Sequence, residues 1–311
     1  MIAVETQNLS KQYKVNLAVD HISLQVPAGV KCGFLGKNGA GKTSTIKMLT
    51  GLKKPTSGNF SIMGKAQSFG KRNLAVGYLP DVPNFYGYMT ATEFLNLCAK
   101  LCNIEGVKRK ERVASLLKQV GLDGVRTRIA TYSRGMKQRL GIAQAMINNP
   151  AVIFMDEPIS ALDPTGRRDV MDIVKALADT TVVFSTHILS DVEDVCDYIL
   201  IIEKGKILAQ DTLANLVTQS AKNQVGITFY EEAHLASFKQ TLDQTGGLSI
   251  QTADPLSLAV SSQREDLAAI SKTLTHTLSR LDLPCKSFAA HTPTLEEIFH
   301  DTLQKGGEQD A

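Results

Sequence analysis

Short apolar runs alternate with longer amphipathic stretches over about the first 215 residues of the chain. Apolar runs of strand length lie at residues 30–35, 152–155 and 181–185, whereas residues 133–149 and 167–178 carry apolar positions at helical spacing. Buried parallel strands read as continuous apolar runs, and the helices that connect them are amphipathic. The pattern therefore predicts an α/β fold with a mainly parallel sheet that helices cover on both faces.

Other segments predict a β subdomain around this core. Strands are expected at residues 4–9 and 21–26, ahead of the first core strand, which gives an antiparallel opening. A turn is expected at residues 55–58 and a short strand at 76–80. A hairpin that turns at residues 204–205 closes this part of the chain.

A helical subdomain is expected between the short strand and the helix at 133–149. Thr90 is followed three residues later by Glu93, which is the pattern of a capping box. It predicts a helix that runs to about residue 102, and a basic stretch at 107–120 predicts another.

The remainder of the chain predicts a second domain. Its elements follow the order βαββαβ of a small ferredoxin-like module. They are strands at 224–230, 248–252, 256–261 and 285–290, with helices at 232–244 and 264–280. We place the boundary so that residues 1–218 form one domain and 219–311 a C-terminal accessory domain with an interaction or regulatory role.

Composition excludes several classes of protein. The chain has 311 residues, of which 43% are hydrophobic, and its net charge of +3 is small and spread along the sequence, so no nucleic-acid partner is expected. The longest apolar runs are only as long as a strand, so any membrane-spanning part would come from another polypeptide. Five scattered cysteines lack zinc-site spacing and predict reduced, cytoplasmic thiols. Cys98 and Cys102 share a helical face, where an apolar stripe is favoured over a metal pair.

A glycine-rich stretch, GKNGAGKT at residues 36–43, has the spacing of a phosphate-binding loop. Its backbone N–H groups and the start of the helix at 44–51 would face phosphate oxygens, Lys42 would add a positive charge, and Thr43 would offer Mg²⁺ a hydroxyl ligand. The alternative is a turn ahead of an ordinary helix. The predicted nucleotide ligands here are Gly36, Lys37, Asn38, Gly39, Ala40, Gly41, Lys42, Thr43 and Ser44.

Polar groups follow two predicted core strands. Asp156 and Glu157 come directly after the strand at 152–155, at the edge where open α/β sheets bind ligands. Asp156 is predicted to hold Mg²⁺, and Glu157 to take a proton from the water that attacks the γ phosphate. His187 follows the next strand and is predicted to reach that phosphate. The candidate catalytic residues are therefore Lys42, Glu157 and His187.

The segment YSRGMKQRL at residues 132–140 resembles the signature motif of ABC-type ATPases. The resemblance covers residues 1 to about 215 and implies that ATP and Mg²⁺ are bound by a dimer. It implies that Tyr13 stacks on adenine, that Ser160 to Asp163 form the D-loop, and that His187 is the switch histidine. It also implies that Ser133 and Gly135 contact the nucleotide of the opposite subunit. From the residues alone, Ser133 is equally an N-cap and Tyr13 a packing aromatic.

Asp81 departs from the pattern of this family, which has glutamine there, or glutamate in some exporters. The match makes Asp81 a candidate nucleotide and metal ligand, but its side chain is one methylene shorter and donates no hydrogen bond. We therefore expect it to sit back from the metal. The alternative is a turn residue beside Pro80 and Pro83.

The segment TPTLEEIF at residues 292–299 is similar to the one that closes ATP-binding subunits of ABC-2 type exporters. The resemblance implies an ATPase subunit on the inner face of the cell membrane, held there by a separate transmembrane permease and paired with a copy of itself or a second ATP-binding subunit. An ABC-type ATPase that acts on DNA or the ribosome is the alternative, and a regulator without turnover is a third. The motifs name no transported substrate.

Overall fold

A computed structural model describes residues 1–71, 73–220, 224–243, 248–262, 267–290 and 293–308, apart from the side chains of residues 190, 191, 253 and 306–308. The chain divides into two compact units. One contains Met1–Leu213 with the segment from Phe299 onward, and the other contains Ala214–Ile298. The predicted boundary at residue 218 lies close to this division, and the independence of the two parts stays a prediction.

A six-stranded sheet forms the centre of the first unit, in the order β11-β10-β4-β9-β8-β7. Its strands are β4 Lys31–Leu35, β7 Val76–Leu79, β8 Val152–Asp156, β9 Thr181–Thr186, β10 Tyr198–Glu203 and β11 Lys206–Thr212. All neighbours pair in parallel except β10 and β11, which form the predicted hairpin. Every position of β4, β8 and β9 is buried, as the continuous apolar runs predicted.

An antiparallel sheet lies beside it. Its strands are β1 Ile2–Tyr13, β2 Asn16–Ile22, β3 Gln25–Pro27, β5 Ser57–Ile62 and β6 Lys65–Ala66. The single strand predicted at 21–26 is wrong, because β2 ends at Ile22 and β3 begins at Gln25, each paired separately with β1.

The turn predicted at residues 55–58 is wrong in its second half, because Ser57 and Gly58 begin β5. Gly58 has φ 83°, and an added Cβ would lie 2.2 Å from the Asn8 carbonyl oxygen. The glycine therefore allows β5 to approach β1 closely at a point where the pairing register shifts. It does not form part of a turn.

Helices cover the central sheet. They are α1 Lys42–Leu49, α2 Ala91–Leu101, α3 Gly106–Gln119, α4 Arg134–Met146, α5 Pro164–Lys175 and the short α6 Ser190–Glu193, with a 3₁₀ turn at Ile129–Thr131. Helices α2, α3 and α4 pack together, and the Thr90–Glu93 capping box is formed. Helix α5 begins three residues before the predicted start at 167, because Asp163 caps it and Pro164 fits its first turn.

The main core lies around α1, between the two sheets. Phe34 of β4, Ile46 of α1 and Phe154 of β8 are at most 1% exposed and belong to one buried cluster with Val4 and Val26 of the antiparallel sheet. This packing fixes where β4 ends and α1 begins. Within the described part of the chain, no helix combines the length and apolar character that a bilayer crossing requires.

The second unit has its own sheet and core. After α7 Leu213–Ser220 come β12 Gln224–Phe229, α8 Glu232–Asp243, β13 Ser249–Asp254, β14 Ser257–Ser261, α9 Leu267–Leu281 and β15 Cys285–Ala290. The strands pair antiparallel in the order β13-β14-β12-β15, and Phe229, Phe238 and Leu274 form part of a separate buried cluster. The predicted helix limits at 244 and 264 lie outside the described residues.

The last helix is α10 Leu295–Glu308. Thr294 caps it: the Glu297 N–H donates to Thr294 Oγ1 at 3.3 Å, and the Thr294 N–H donates to Glu297 Oε2 at 2.9 Å. Thr292, the other predicted cap, lies outside the described residues. The predicted apolar face of Leu295, Ile298 and Phe299 is buried.

Candidate nucleotide-binding and hydrolysis site

The phosphate loop connects the buried strand β4 to α1. Gly39 and Gly41 have φ of 86° and 113°, which only glycine adopts at little cost. A Cβ at Gly36 would lie 2.4 Å from the Ile202 carbonyl oxygen, and one at Gly41 would lie 2.6 Å from that of Ala18. Neighbouring backbone therefore determines the curve of the loop, and side chains at these glycines would disrupt it.

The Lys42 side chain folds back over the loop. Its Nζ donates to the carbonyl oxygens of Gly36 at 2.6 Å and Lys37 at 3.2 Å. Only 6% of the side chain is exposed. This buried ammonium has neutral carbonyls as its hydrogen-bond acceptors and one carboxylate, that of Glu157, at 3.5 Å, so it can still donate to phosphate oxygens above the loop.

A hydroxyl and a carboxylate meet beside the loop. Thr43 Oγ1 donates to Asp156 Oδ1 at 3.0 Å, and the buried Ser185 Oγ donates to the same oxygen at 2.8 Å. Mg²⁺ prefers such hard oxygen ligands and keeps its remaining sites for water and phosphate, so this pair fits the ion.

Among the described residues, no three His, Cys, Asp or Glu side chains cluster as metal ligands. All five cysteines are free. Burial, with a smaller contribution from Cys102, raises the pKa of Cys98 to about 11, as suits a thiol in an apolar stripe.

Glu157 lies at the end of β8 in a left-handed conformation, with φ 48°. Its N–H donates to Ser185 Oγ at 2.9 Å. One carboxylate oxygen is 3.5 Å from Lys42 Nζ, and the other is 2.9 Å from His187 Nδ1. The structure thus brings together the three predicted catalytic residues. Since Glu157 is 14% exposed, its carboxylate retains access to a water molecule.

Tyr13 reaches the start of α1 from the end of β1. Its hydroxyl lies 3.4 Å from Ser44 Oγ, and Lys11 Nζ lies 5.1 Å from the ring centre. The ring is 37% exposed, so it is not packed in the core. An exposed aromatic face beside the loop is a suitable stacking surface for a base.

The signature and D-loop residues make local contacts. Ser133 Oγ accepts from the Met136 N–H at 3.2 Å and so caps α4. Asp163 Oδ1 accepts from the Gly166 N–H at 3.0 Å and caps α5. Ser133 is exposed, and an added Cβ at Gly135 would meet nothing closer than Ser133 Oγ at 4.0 Å. The capping role of Ser133 is confirmed, and its contact with a second subunit's nucleotide stays a prediction.

Asp81 follows β7 and is half exposed. Its Oδ1 accepts from Ser160 Oγ at 2.9 Å and lies 3.9 Å from an Arg134 guanidinium nitrogen. Its backbone carbonyl accepts from Gln138 Nε2 at 3.3 Å. The carboxylate therefore contacts Ser160 of the predicted D-loop and Arg134 of α4. Binding of metal or nucleotide by Asp81 stays a prediction.

Three hydrogen-bond donors of the site were not predicted from the sequence. They are Ser185, which donates to Asp156, and Ser160 and Gln138, which both donate to Asp81. A fully buried serine in the apolar run TVVFST was the available signal for Ser185, because buried polar groups need partners. Ser160 and Gln138 act through contacts with Asp81 across 79 and 57 positions, which no local pattern shows.

A parallel sheet with a phosphate loop after β4, a carboxylate pair at the end of β8 and an adjoining antiparallel sheet defines a P-loop nucleoside triphosphatase. Residues 19–160 match the ABC transporter family. The chain belongs to this family as an ATP-binding, ATP-hydrolysing subunit. Its predicted fold class is thereby confirmed for the nucleotide-binding part.

Two relatives and one solved structure show the extent of the likeness. The ABC transporter ATP-binding protein YxlF of Bacillus subtilis is 42% identical, covering 75% of this chain and 78% of its own length. The daunorubicin/doxorubicin resistance ATP-binding protein DrrA of Streptomyces peucetius is 33% identical, covering 96% and 91%. A solved ATP-binding subunit of an ABC transporter is 30% identical with a TM-score of 0.62, covering 70% of this chain and 92% of its own.

Proposed function

We propose that this ATPase subunit drives export through a separate membrane-spanning permease, as part of a dimer that encloses two nucleotides. The observation that carries the hydrolytic part is the position of Glu157. Its carboxylate lies between the phosphate-loop Lys42 and His187, at 3.5 and 2.9 Å. A base held there is next to the γ phosphate that the loop would bind.

In the proposed reaction, a water oxygen attacks the γ phosphorus in line with its bond to the bridging oxygen. A new P–O bond forms, the bridging bond breaks, and ADP leaves with that electron pair. Glu157 accepts the water's proton, while His187 Nδ1 orients the carboxylate. The loop N–H groups and Lys42 bind the β and γ phosphates, and Tyr13 stacks on the adenine.

Thr43 and Asp156 would hold Mg²⁺, since they bring two hard oxygens within 3.0 Å of each other beside the loop. When bound, the ion supplies charge neutralisation to the phosphate oxygens. Ser185 keeps Asp156 in place through its 2.8 Å hydrogen bond.

The dimer is proposed from the signature segment. Ser133 and the N-terminus of α4 are exposed, and such a helix end binds phosphate. A second subunit, identical or different, would present its nucleotide there. The permease would hold this pair at the inner face of the membrane.

The exporter assignment is supported by the relatives. DrrA is named for resistance to daunorubicin and doxorubicin, and its likeness covers 96% of this chain, including the accessory domain. This favours an exporter over the alternative of an ATPase that acts on DNA or the ribosome.

Four observations test the proposal: ATP hydrolysis, dimer formation, vesicle transport and the identity of the neighbouring gene. The purified full chain should hydrolyse ATP in a Mg²⁺-dependent reaction, and ATP should convert it from monomer to dimer when hydrolysis is blocked. Inverted vesicles that contain the chain and the membrane protein encoded beside it should accumulate a fluorescent anthracycline when ATP is added outside. Accumulation only in right-side-out vesicles loaded with ATP would contradict export. A neighbouring reading frame without several membrane-spanning helices would contradict the permease assignment.

A further inference from the structure

The carboxylate of Asp81 is directed at the turn that follows the catalytic strand. Its Oδ1 accepts a hydrogen bond from Ser160 Oγ at 2.9 Å. Arg134 lies 3.9 Å from the same oxygen, but both side chains are half exposed, so this ion pair contributes little. The hydrogen bond to Ser160 is the closer and more directional contact.

Ser160 continues the connection to Glu157. Its backbone N–H donates to the Glu157 carbonyl oxygen at 3.2 Å. Asp81 is therefore two hydrogen bonds from the backbone of the residue that we propose as the base. On the other side of that residue, the Glu157 N–H donates to Ser185 Oγ at 2.9 Å. Hydrogen bonds thus restrain both peptide groups that flank Glu157.

The turn needs such restraints because its backbone is strained. Glu157 and Ala161 have φ of 48° and 51°, a left-handed conformation that costs energy in residues with a Cβ. Such conformations persist when the surrounding structure over-determines them. Without the Asp81 acceptor, the turn has one restraint fewer and the Glu157 carboxylate has a wider choice of positions.

Asp81 itself is held firmly enough to act as an anchor. Its carbonyl oxygen accepts from Gln138 Nε2 at 3.3 Å, and Gln138 is 1% exposed. The preceding Leu79 packs closely on α4, because a Cβ added at Gly141 would lie 2.4 Å from Leu79 Cδ1. The loop that carries Asp81 is therefore fixed to the signature helix.

We propose that Asp81 is a positioning residue for hydrolysis, which acts through Ser160 to hold the Glu157 carboxylate where it takes the proton of the attacking water. The inference rests on the proposed role of Glu157. It also explains the side-chain length at this position, since aspartate places its acceptor 2.9 Å from Ser160 Oγ and a glutamine amide would carry it one methylene further.

Four variants of the full chain test this role: Asp81→Ala, Asp81→Asn, Ser160→Ala and the double variant with alanine at both positions. Asp81→Ala and Ser160→Ala should each lower kcat by about tenfold, because small displacements of a catalytic group have effects of this size. The double variant should fall no further than either single one. Asp81→Asn keeps an acceptor at the same reach and should retain most of kcat. Asn84→Ala, exposed in the same loop, is the control and should be unchanged.

Combining these substitutions with Glu157→Gln distinguishes a positioning role from a general structural defect. In Glu157→Gln chains, Asp81→Ala should cause no further loss in single-turnover hydrolysis, because the base it positions is absent. The Mg²⁺ concentration for half-maximal activity and the KM for ATP should stay within about twofold in all Asp81 and Ser160 variants.

Several results would overturn the positioning role. They are an unchanged kcat in Asp81→Ala, multiplicative losses in the double variant, a further loss in the Glu157→Gln background, or a large rise in the Mg²⁺ requirement specific to Asp81→Ala. The last result would identify Asp81 as a metal ligand instead. Wild-type chains without Mg²⁺-dependent turnover would instead contradict the proposed function, and with it the basis of this inference.

Discussion

The groups around the phosphate loop and the groups at the start of α4 are held in different ways. At the loop, Lys42 begins α1 whereas Asp156 and Glu157 lie at the end of β8, and these largely buried side chains contact partners on other elements. At α4, Ser133 is exposed and its Oγ accepts from the third residue along. Contacts within this chain hold the side chains around the phosphate loop in place. At the start of α4, by contrast, Ser133 faces solvent. In the dimer proposed above, a second subunit's nucleotide would complete the α4 region.

The largest expected effect is in the loop region. Glu157→Gln should keep nucleotide binding but lower hydrolysis by about 10²–10⁴-fold, because an amide cannot accept the water's proton. Single-turnover assays with radiolabelled ATP measure the loss of hydrolysis. Size-exclusion chromatography with ATP should show a persistent dimer. Unchanged hydrolysis together with a monomer would contradict both the base and the shared site.

A smaller effect on chemistry, but a large one on binding, is expected at Lys42. Lys42→Ala removes a buried cation whose charged hydrogen bonds to phosphate contribute about 1.5–3 kcal/mol each, so affinity should fall roughly a hundredfold. Equilibrium titration with a fluorescent nucleotide measures it. Lys47→Ala, on the same helix, is the matched control. Wild-type affinity and turnover in Lys42→Ala would refute the loop assignment.

The α4 region is tested by complementation. Gly135→Asp meets open space in the chain, so it should fold and bind ATP normally, but its carboxylate would repel a second subunit's γ phosphate. Alone it should be nearly inactive. Mixed one to one with Lys42→Ala, it should recover about a quarter of wild-type turnover, since half of random dimers are mixed and each has one intact site. Normal turnover by Gly135→Asp alone would show that each chain hydrolyses ATP unaided, and no recovery in the mixture would contradict the shared site.

The smallest effect is expected from truncation after residue 218. Nucleotide affinity should stay within about twofold, because every phosphate-contacting group precedes that point. The melting temperature should fall by about 2–4 °C, as the segment from Phe299 clusters with the ATPase unit. Calorimetry and the same nucleotide titration measure both. If the truncated chain folds but no longer binds ATP, the predicted domain boundary at residue 218 is wrong.

The phosphate loop was predictable because its chemistry is contiguous in sequence and its flanking strand and helix have clear periodicity. The prediction that Asp156 lies at the ligand-binding edge of the sheet followed from the rule that ligands bind at the carboxyl ends of parallel strands, and the structure adds its 3.0 Å hydrogen bond from Thr43. The Asp81–Ser160 bond was not predictable, since it joins residues 79 positions apart through one hydroxyl. The break between β2 and β3 was missed because the apolar alternation continues across it while the pairing with β1 does not.

The left-handed backbone of Glu157 has a consequence for how the chain tolerates change. At φ 48° a glycine would remove the Cβ together with its steric conflict, so replacing the base by glycine should relieve backbone strain and make the fold more stable. Function and thermostability are therefore opposed at this one position. If variants of this chain were selected only for thermostability, residues other than glutamate should be enriched at position 157. Such variants would lose ATP turnover while they still fold.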